Sequence, residues 1–407
     1  MGMKSLKGHR TALVHHWLVT QRGGESVFDA MLEMFPGAPV ITLIYDDRRS
    51  SPSLRKRTVR TSILQKFPRA LRWYPFYLPF FPWVTERLDL SGFQLVISSD
   101  AATMKGVRIA PDALHICYCH TPMRYIWSGY DDYARQLGPA GRVLFQWVAK
   151  RLRLWDFASA QRVTRFVANS QTVARRISKY YGRESTVIYP PVDTDFFVPD
   201  HWARRPGNYY VLVSQLVPYK RVDLVVDAFN RSGHRLLVIG EGSERRNLER
   251  RAGPNVQILG PQPREAIRRH LQSCRGFIFA GEEDFGIVMA EALACGTPVL
   301  AFGRGGAAEI VQDNRTGVLF EEQTVDSLLD GLSKLQRTPF DPDELRNSVL
   351  RFSRDRFVDE FSWLVEETVC DHRLLVPTLD QGGGASKEDL LRPVPIPQEM
   401  VSGHVRK

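Results

Sequence analysis

The segment Gly281-Glu282-Glu283-Asp284-Phe285-Gly286-Ile287-Val288-Met289-Ala290-Glu291 concentrates more chemistry than any other stretch of the chain. It follows an apolar run, Gly276–Ala280, that reads as a strand, and it opens a helix that Gly296 and Pro298 should end. A strand feeding a helix start leaves backbone N–H groups without intrahelical acceptors, here those of Phe285, Gly286, Ile287 and Val288. The positive end of the peptide dipoles lies behind them, an arrangement that suits phosphate. Glu283 stands just before the helix, and Glu291 lies about two turns along it, able to face the same crevice. Carboxylates at that separation suit hydroxyls at the two ends of a nucleotide sugar, the hexose at Glu283 and the ribose at Glu291. Acids in this position would also favour the helix dipole with no ligand at all, so the segment alone leaves both readings open.

Other residues are candidates through their position. Lys220 follows a strand and loop, VSQLVPYKR, where an ammonium can neutralise a departing diphosphate. Its neighbour Arg221 is expected to begin a helix and point elsewhere. His120 ends the run His115–Cys119 and precedes Thr121-Pro122, at a strand end where side chains enter the crevice of an α/β sheet. Gly23-Gly24 follow the first strand and permit close backbone approach, but the pattern is not GxGxxG, so no nicotinamide site is read. A zinc site at His115, Cys117, Cys119 and His120 is rejected, because strand alternation separates His120 from the two cysteines. Asp193-Thr194-Asp195 imitates a metal-binding Asp-x-Asp but follows Pro190-Pro191, which makes it turn and cap chemistry. Gly303, Gly305 and Gly306 form a second glycine-rich turn read as tight packing, with Glu309 behind them structural.

The elements that must position these residues are legible as βα repeats. Apolar runs of strand length recur from Thr11–His15 to Thr186–Tyr189, and again from Tyr209–Ser214 to Gly317–Phe320, with helical patterns between. About a dozen strands exceed one comfortable sheet, so two doubly wound parallel-sheet α/β domains follow. The expected division is an N-terminal domain over 1–190, a Pro-rich linker over 191–207 and a second domain over 208–350. A helix over 351–373 and a disordered tail over 374–407 complete it. The five cysteines form no CxxC pair, and no apolar run reaches about 18 residues, which suits a reduced cytoplasmic setting without a transmembrane helix. The start shows no signal-peptide pattern. The net charge of +10 calls for an anionic partner; no nucleic-acid module is recognisable, which leaves diphosphates and acidic lipid. Leu54–Val84 mixes basic residues with aromatics and prolines, and reads either as a buried irregular insertion or as a membrane-surface patch.

EEDFGIVMAEALACGTPVLAFGRGGAAEIV resembles the Glu-x7-Glu motif of the retaining glycosyltransferases of family 4, which have the GT-B fold. HHWLVTQRGGE, CYCHTPMRYIW, VIYPPVD and LVPYKRVD resemble, more closely, the bacterial mannosyltransferase branch that builds O-antigen and exopolysaccharide. The motifs run in the same order from Val14 to about Phe320. The resemblance implies two Rossmann-like domains facing across a cleft, with His120, Glu283 and Lys220 catalytic and His120 hydrogen-bonding the transferred sugar. Donor binding would fall to Gly23, Gly24, Gln215, Lys220, Asp284, Phe285, Gly286, Ile287, Val288 and Glu291. Many members carry arginine where this chain has Gln215, which offers a hydrogen bond but no charge. The implied donor is GDP-mannose. The implied acceptor is a polyprenyl-diphosphate-linked saccharide at the inner membrane face, and no cofactor or essential divalent metal is expected. A 2-epimerase of the same architecture and a degenerate sugar-nucleotide-binding protein are the alternatives.

Overall fold

A computed structural model describes residues 9–19, 23–200 and 207–375. The first lobe is a seven-stranded sheet of β1 (Thr11–His15), β2 (Val40–Thr42), β3 (Val59–Thr61), β4 (Leu95–Asp100), β5 (Leu114–Cys119), β6 (Arg165–Ala168) and β7 (Ser185–Val187). The second is a six-stranded sheet of β8 (Tyr210–Val213), β9 (Leu236–Ile239), β10 (Val256–Gly260), β11 (Phe277–Phe279), β12 (Val299–Phe302) and β13 (Gly317–Phe320). Every pairing is parallel. Strands covered by helices on both faces need continuous apolar runs rather than alternation, and β4 and β5 are buried at every position.

The strand orders are β3-β2-β1-β4-β5-β6-β7 and β10-β9-β8-β11-β12-β13. Strand addition therefore reverses direction between β1 and β4, and again between β8 and β11. At such a switch the loops leaving the strand ends diverge and open a crevice. Gly23-Gly24 follow β1, Lys220 follows β8 and Glu283 follows β11, so the reversal places three of the candidate positions at crevice mouths.

Six helices matter for the site: α1 (Gly23–Met34), α2 (Pro139–Ala160), α3 (Gln171–Tyr181), α4 (Val222–Ser232), α5 (Ile287–Ala294) and α6 (Arg354–Leu375). The chain crosses between lobes twice. Ile188 still packs in the first core, whereas Val192 is in the second and donates its amide to the Phe352 carbonyl at 2.8 Å. After Phe352, α6 returns and buries Phe357, Phe361 and Leu364 among Leu13, Phe28 and Tyr118 of the first lobe. It runs through Leu375 rather than ending at residue 373. Residues 376–407, where a disordered tail is expected, and 201–206 of the linker lie outside the described residues.

Leu54–Val84 is neither wholly buried nor without regular structure. It contributes β3, an edge strand with exposed Arg60 and Thr61, then a succession of short helical turns broken by Pro75, Pro79 and Pro82. Among the described residues no helix is long and apolar enough to cross a membrane.

Candidate active site

The bed of the site is the turn from β11 into α5. Gly281 presses on the loop after β8: a Cβ there would lie 2.8 Å from the Lys220 Cα. Gly286 has φ +96°, and a Cβ would meet the Met289 Cε at 2.1 Å, so only glycine turns this corner. Beyond it, the amides of Phe285, Gly286, Ile287 and Val288 have no hydrogen-bond acceptor among the described residues. The second glycine-rich turn holds the acidic loop in place. Gly306 donates its amide to the Glu283 carbonyl at 2.9 Å, and Cβ atoms at Gly305 and Gly306 would strike the carbonyls of Glu283 and Phe285.

Lys220 is buried, and its ammonium pairs with the Glu283 carboxylate. Glu291 projects from the next turns of α5, and no hydrogen bond to its carboxylate is seen among the described residues. Burial pushes its carboxyl up to about 7, with Arg264 opposing and Asp193 adding to the rise. Gln215 lies part-buried in the loop after β8, with its carbonyl taking bonds from Ser214 and Val217.

The first lobe closes the site from the opposite side. A Cβ on Gly23 would come within 3.0 Å of the Ile287 Cδ1, and one on Gly24 within 3.6 Å of the His120 Nε2. The β1 loop, His120 and the start of α5 thus converge. His120 Nε2 lies 2.7 Å from the Ser99 Oγ at the end of β4. Burial, with His16 acting in the same direction, depresses the imidazole to about 3 against the opposing pull of Asp100 and Asp284. It is a neutral ring at ordinary pH. Cys117 and Cys119 lie on the far face of β5 against Phe166 and Tyr181, as alternation requires.

Asp284 faces the other lobe, paired with Arg124 at 2.7 Å and with Arg176. Burial raises its carboxyl, yet these two guanidinium groups outweigh burial and hold it below the usual carboxylate range. Phe285 is buried, packing its ring on Tyr189 and Phe352, so it offers a donor its backbone alone. Asp193 accepts from the Phe196 amide at 3.2 Å and pairs with Arg264, which is turn chemistry.

Sequence reasoning passed over the residues that join the lobes. Arg176 also pairs with Glu282 at 2.8 Å. The Glu309 carboxylate accepts from the amides of Gln171 and Thr172 and from the Thr172 hydroxyl at 2.8–2.9 Å, capping the N-terminus of α3 from across the cleft. Arg124 stands inside the CYCHTPMRYIW segment, and its position four residues after His120 was the available signal. Arg221 adopts φ +51°, and its side chain turns to line an interlobe cavity of about 620 Å³ together with Arg124, Arg176, Tyr219 and Glu282.

Residues 23–196 match the family described as Glycosyltransferase Family 4, and residues 195–354 that described as Glycosyl transferases group 1. Each match covers less than half of the chain; with the two parallel-sheet lobes they show a GT-B fold whose two parts are similar to those glycosyltransferase families. It is 24% identical over 204 residues to an uncharacterised glycosyltransferase, MJ1178, of Methanocaldococcus jannaschii, covering 49% of this chain and 56% of that one. It is 30% identical over 213 residues to the GDP-mannose-dependent alpha-(1-6)-phosphatidylinositol monomannoside mannosyltransferase of Mycobacterium tuberculosis, covering 43% and 55%. The chain spans about half the length of the curated relatives it matches. Among solved structures, Anabaena Alr3699/HepE in complex with UDP-glucose superimposes with a TM-score of 0.63 at 15% identity, over 88% of this chain and all of that one. The lipopolysaccharide outer core galactosyltransferase WaaB superimposes with a TM-score of 0.57 at 15% identity, over 86% and 97%. Both likenesses are of fold.

Proposed function

We propose that the chain transfers a hexose from a nucleoside-diphosphate sugar to an acceptor hydroxyl with retention of configuration and without an essential divalent metal. The observation that carries this reading is the row of acceptor-free amides from Phe285 to Val288 beside the Lys220 ammonium. Fixed donors of that kind suit a pyrophosphate and the charge that grows on it as the sugar leaves. Glu291 takes the ribose hydroxyls and the Gly24–His120 wall takes the hexose. The bond from the anomeric carbon to the phosphate oxygen breaks as the bond to the acceptor oxygen forms, on the same face. The acceptor proton passes to the departing phosphate. Orientation and fixed charge then do most of the catalysis.

The donor we favour is GDP-mannose, in keeping with the GDP-mannose dependence of the Mycobacterium tuberculosis relative. UDP-glucose in the Anabaena enzyme supports a nucleotide sugar more generally. The proposed acceptor is a polyprenyl-diphosphate-linked saccharide. A thermal-shift series with GDP-, UDP- and ADP-sugars on wild type and Glu291→Ala tests the binding half, since a ligand stabilises the fold it binds. GDP-mannose should raise the wild-type midpoint most, and Glu291→Ala should lose that rise. Stabilisation equal in both proteins would remove Glu291 from the ribose site. Incubation with donor alone tests the reaction: a rearranged sugar released without acceptor would make the protein an epimerase. Gln215, neutral where many similar enzymes carry arginine, favours one second reading, donor binding without turnover. Donor binding without transfer or slow hydrolysis across several sugars would establish it.

A further inference from the structure

Among the described residues, every exposed large apolar side chain except Leu350 and Trp363 lies between Ile63 and Leu154 of the first lobe. Two stretches carry most of them. The 3-10 helix Tyr74–Phe80 and the helical turn Phe81–Thr85 present Phe76 (79% exposed), Phe80 and Trp83; α2 presents Val143 (70% exposed), Leu144 and Trp147. Helix α2 buries Ala149, Leu152 and Asp156 on its inner side, so on a helix facing water alone the opposite positions should be polar. Val143, Leu144, Trp147 and Leu154 break that pattern, standing exposed beside Arg142, Lys150 and Arg151.

The two stretches adjoin. Leu78 packs into the same cluster as Ala149 and Leu152, and Trp155 donates its indole N–H to Glu86 at 2.8 Å. The outward side chains therefore flank one seam. Cations are interleaved with the rings: Arg69 lies 4.9 Å from the Trp73 centroid, Arg87 4.3 Å from Trp83 and Arg151 4.1 Å from Trp147. Rings and aliphatic groups that are wet on the outside, with guanidinium groups among them, match a bilayer interface, where apolar groups enter the acyl boundary and cations meet phosphate.

We propose that this face, formed jointly by Tyr74–Thr85 and the outer side of α2, seats the protein on an anionic lipid bilayer. The seam is continuous with the cleft. Trp17, just past β1, packs on Tyr74 and Phe81, and Met123 and Ile126, just past His120, lie in the Leu78–Leu152 cluster. Seating this face brings the loops of the catalytic crevice to the membrane surface, where a lipid-borne acceptor presents its sugar. That consequence rests on the proposed transfer; the docking itself does not.

The test is sedimentation of the full chain with phosphatidylcholine vesicles, with and without phosphatidylglycerol. Wild type should bind the phosphatidylglycerol vesicles. The double variant Phe76→Ser/Trp147→Ser should lose about tenfold or more in partitioning. Arg87→Gln/Arg151→Gln should lose binding only where anionic lipid is present, and this second pair carries the test if the first fails to fold. Transfer to a soluble acceptor should be unchanged in all variants. Wild type that ignores anionic vesicles, or variants that bind as it does, overturn the proposal. So does wild type that self-associates where Phe76→Ser/Trp147→Ser is monomeric, since the face then belongs to a second copy. Vesicle binding needs no sugar transfer, so its failure leaves the enzymatic reading standing.

Discussion

The lobe seam and the turn proposed as the donor bed lie side by side and treat their polar groups in opposite ways. At the seam every acid is matched: Asp284 by Arg124 and Arg176, Glu282 by Arg176, and Glu309 by the amides that open α3. In the bed, four consecutive amides lack acceptors among the described residues, and Glu291 is a carboxylate that burial has made hard to ionise. Buried polar groups are ordinarily paired, so an unsatisfied set beside a satisfied one marks where a ligand completes the protein. The seam tells how the lobes hold each other; the bed tells what they hold.

The largest test of that contrast is Lys220→Ala, expected to lower kcat/KM by about three orders of magnitude through loss of fixed positive charge at the leaving group. Because Lys220 pairs with Glu283, Glu283→Gln should also loosen the ammonium. The double variant should then cost little more than Lys220→Ala alone. Additive losses in steady-state kinetics would show that the two act separately.

Acid should act next most strongly. His120 and His115 are depressed to about 3 and about 4, so the unfolded chain binds more protons than the fold below the ordinary histidine value. Stability should fall as pH drops below about 6.5 and keep falling towards the depressed values. A melting temperature flat from pH 7 to 5 would contradict the burial of these rings.

Glu291 works in the opposite direction. Its raised carboxyl means the fold binds the extra proton, so its contribution fades as pH rises through about 7. Glu291→Gln should stabilise the ligand-free protein above that pH by about 2 kcal/mol, allowing for partial exposure, while weakening nucleotide binding about tenfold. Calorimetry at pH 6 and 8 checks both. The smallest effect belongs to the seam: Arg176→Ala should raise KM about threefold with kcat nearly kept, because Arg124 still holds Asp284. A collapse of kcat would mean that the seam reaches into the chemistry.

What could be read beforehand follows from the range of each signal. The strand–turn–helix at residues 276–291 is local, and its glycines and apolar run announce it. Strand β3 was missed because Val59–Thr61 is short, carries Arg60 at its centre and lies at an exposed edge, so it holds no apolar run. Asp284 sits among residues expected to bind the donor, and its sequence neighbours say nothing of its ion pairs. Its partners lie 160 and 108 positions away, at Arg124 and Arg176, and only folding reveals them. The same distance hid Glu309 as the cap of α3.

Helix α6 has a consequence for how the protein is made. The first lobe encloses Leu13, Phe28 and Tyr118 only when Phe357, Phe361 and Leu364 arrive to cover them. During synthesis that apolar groove stays open while the whole second lobe is translated, so the half made first is the half completed last.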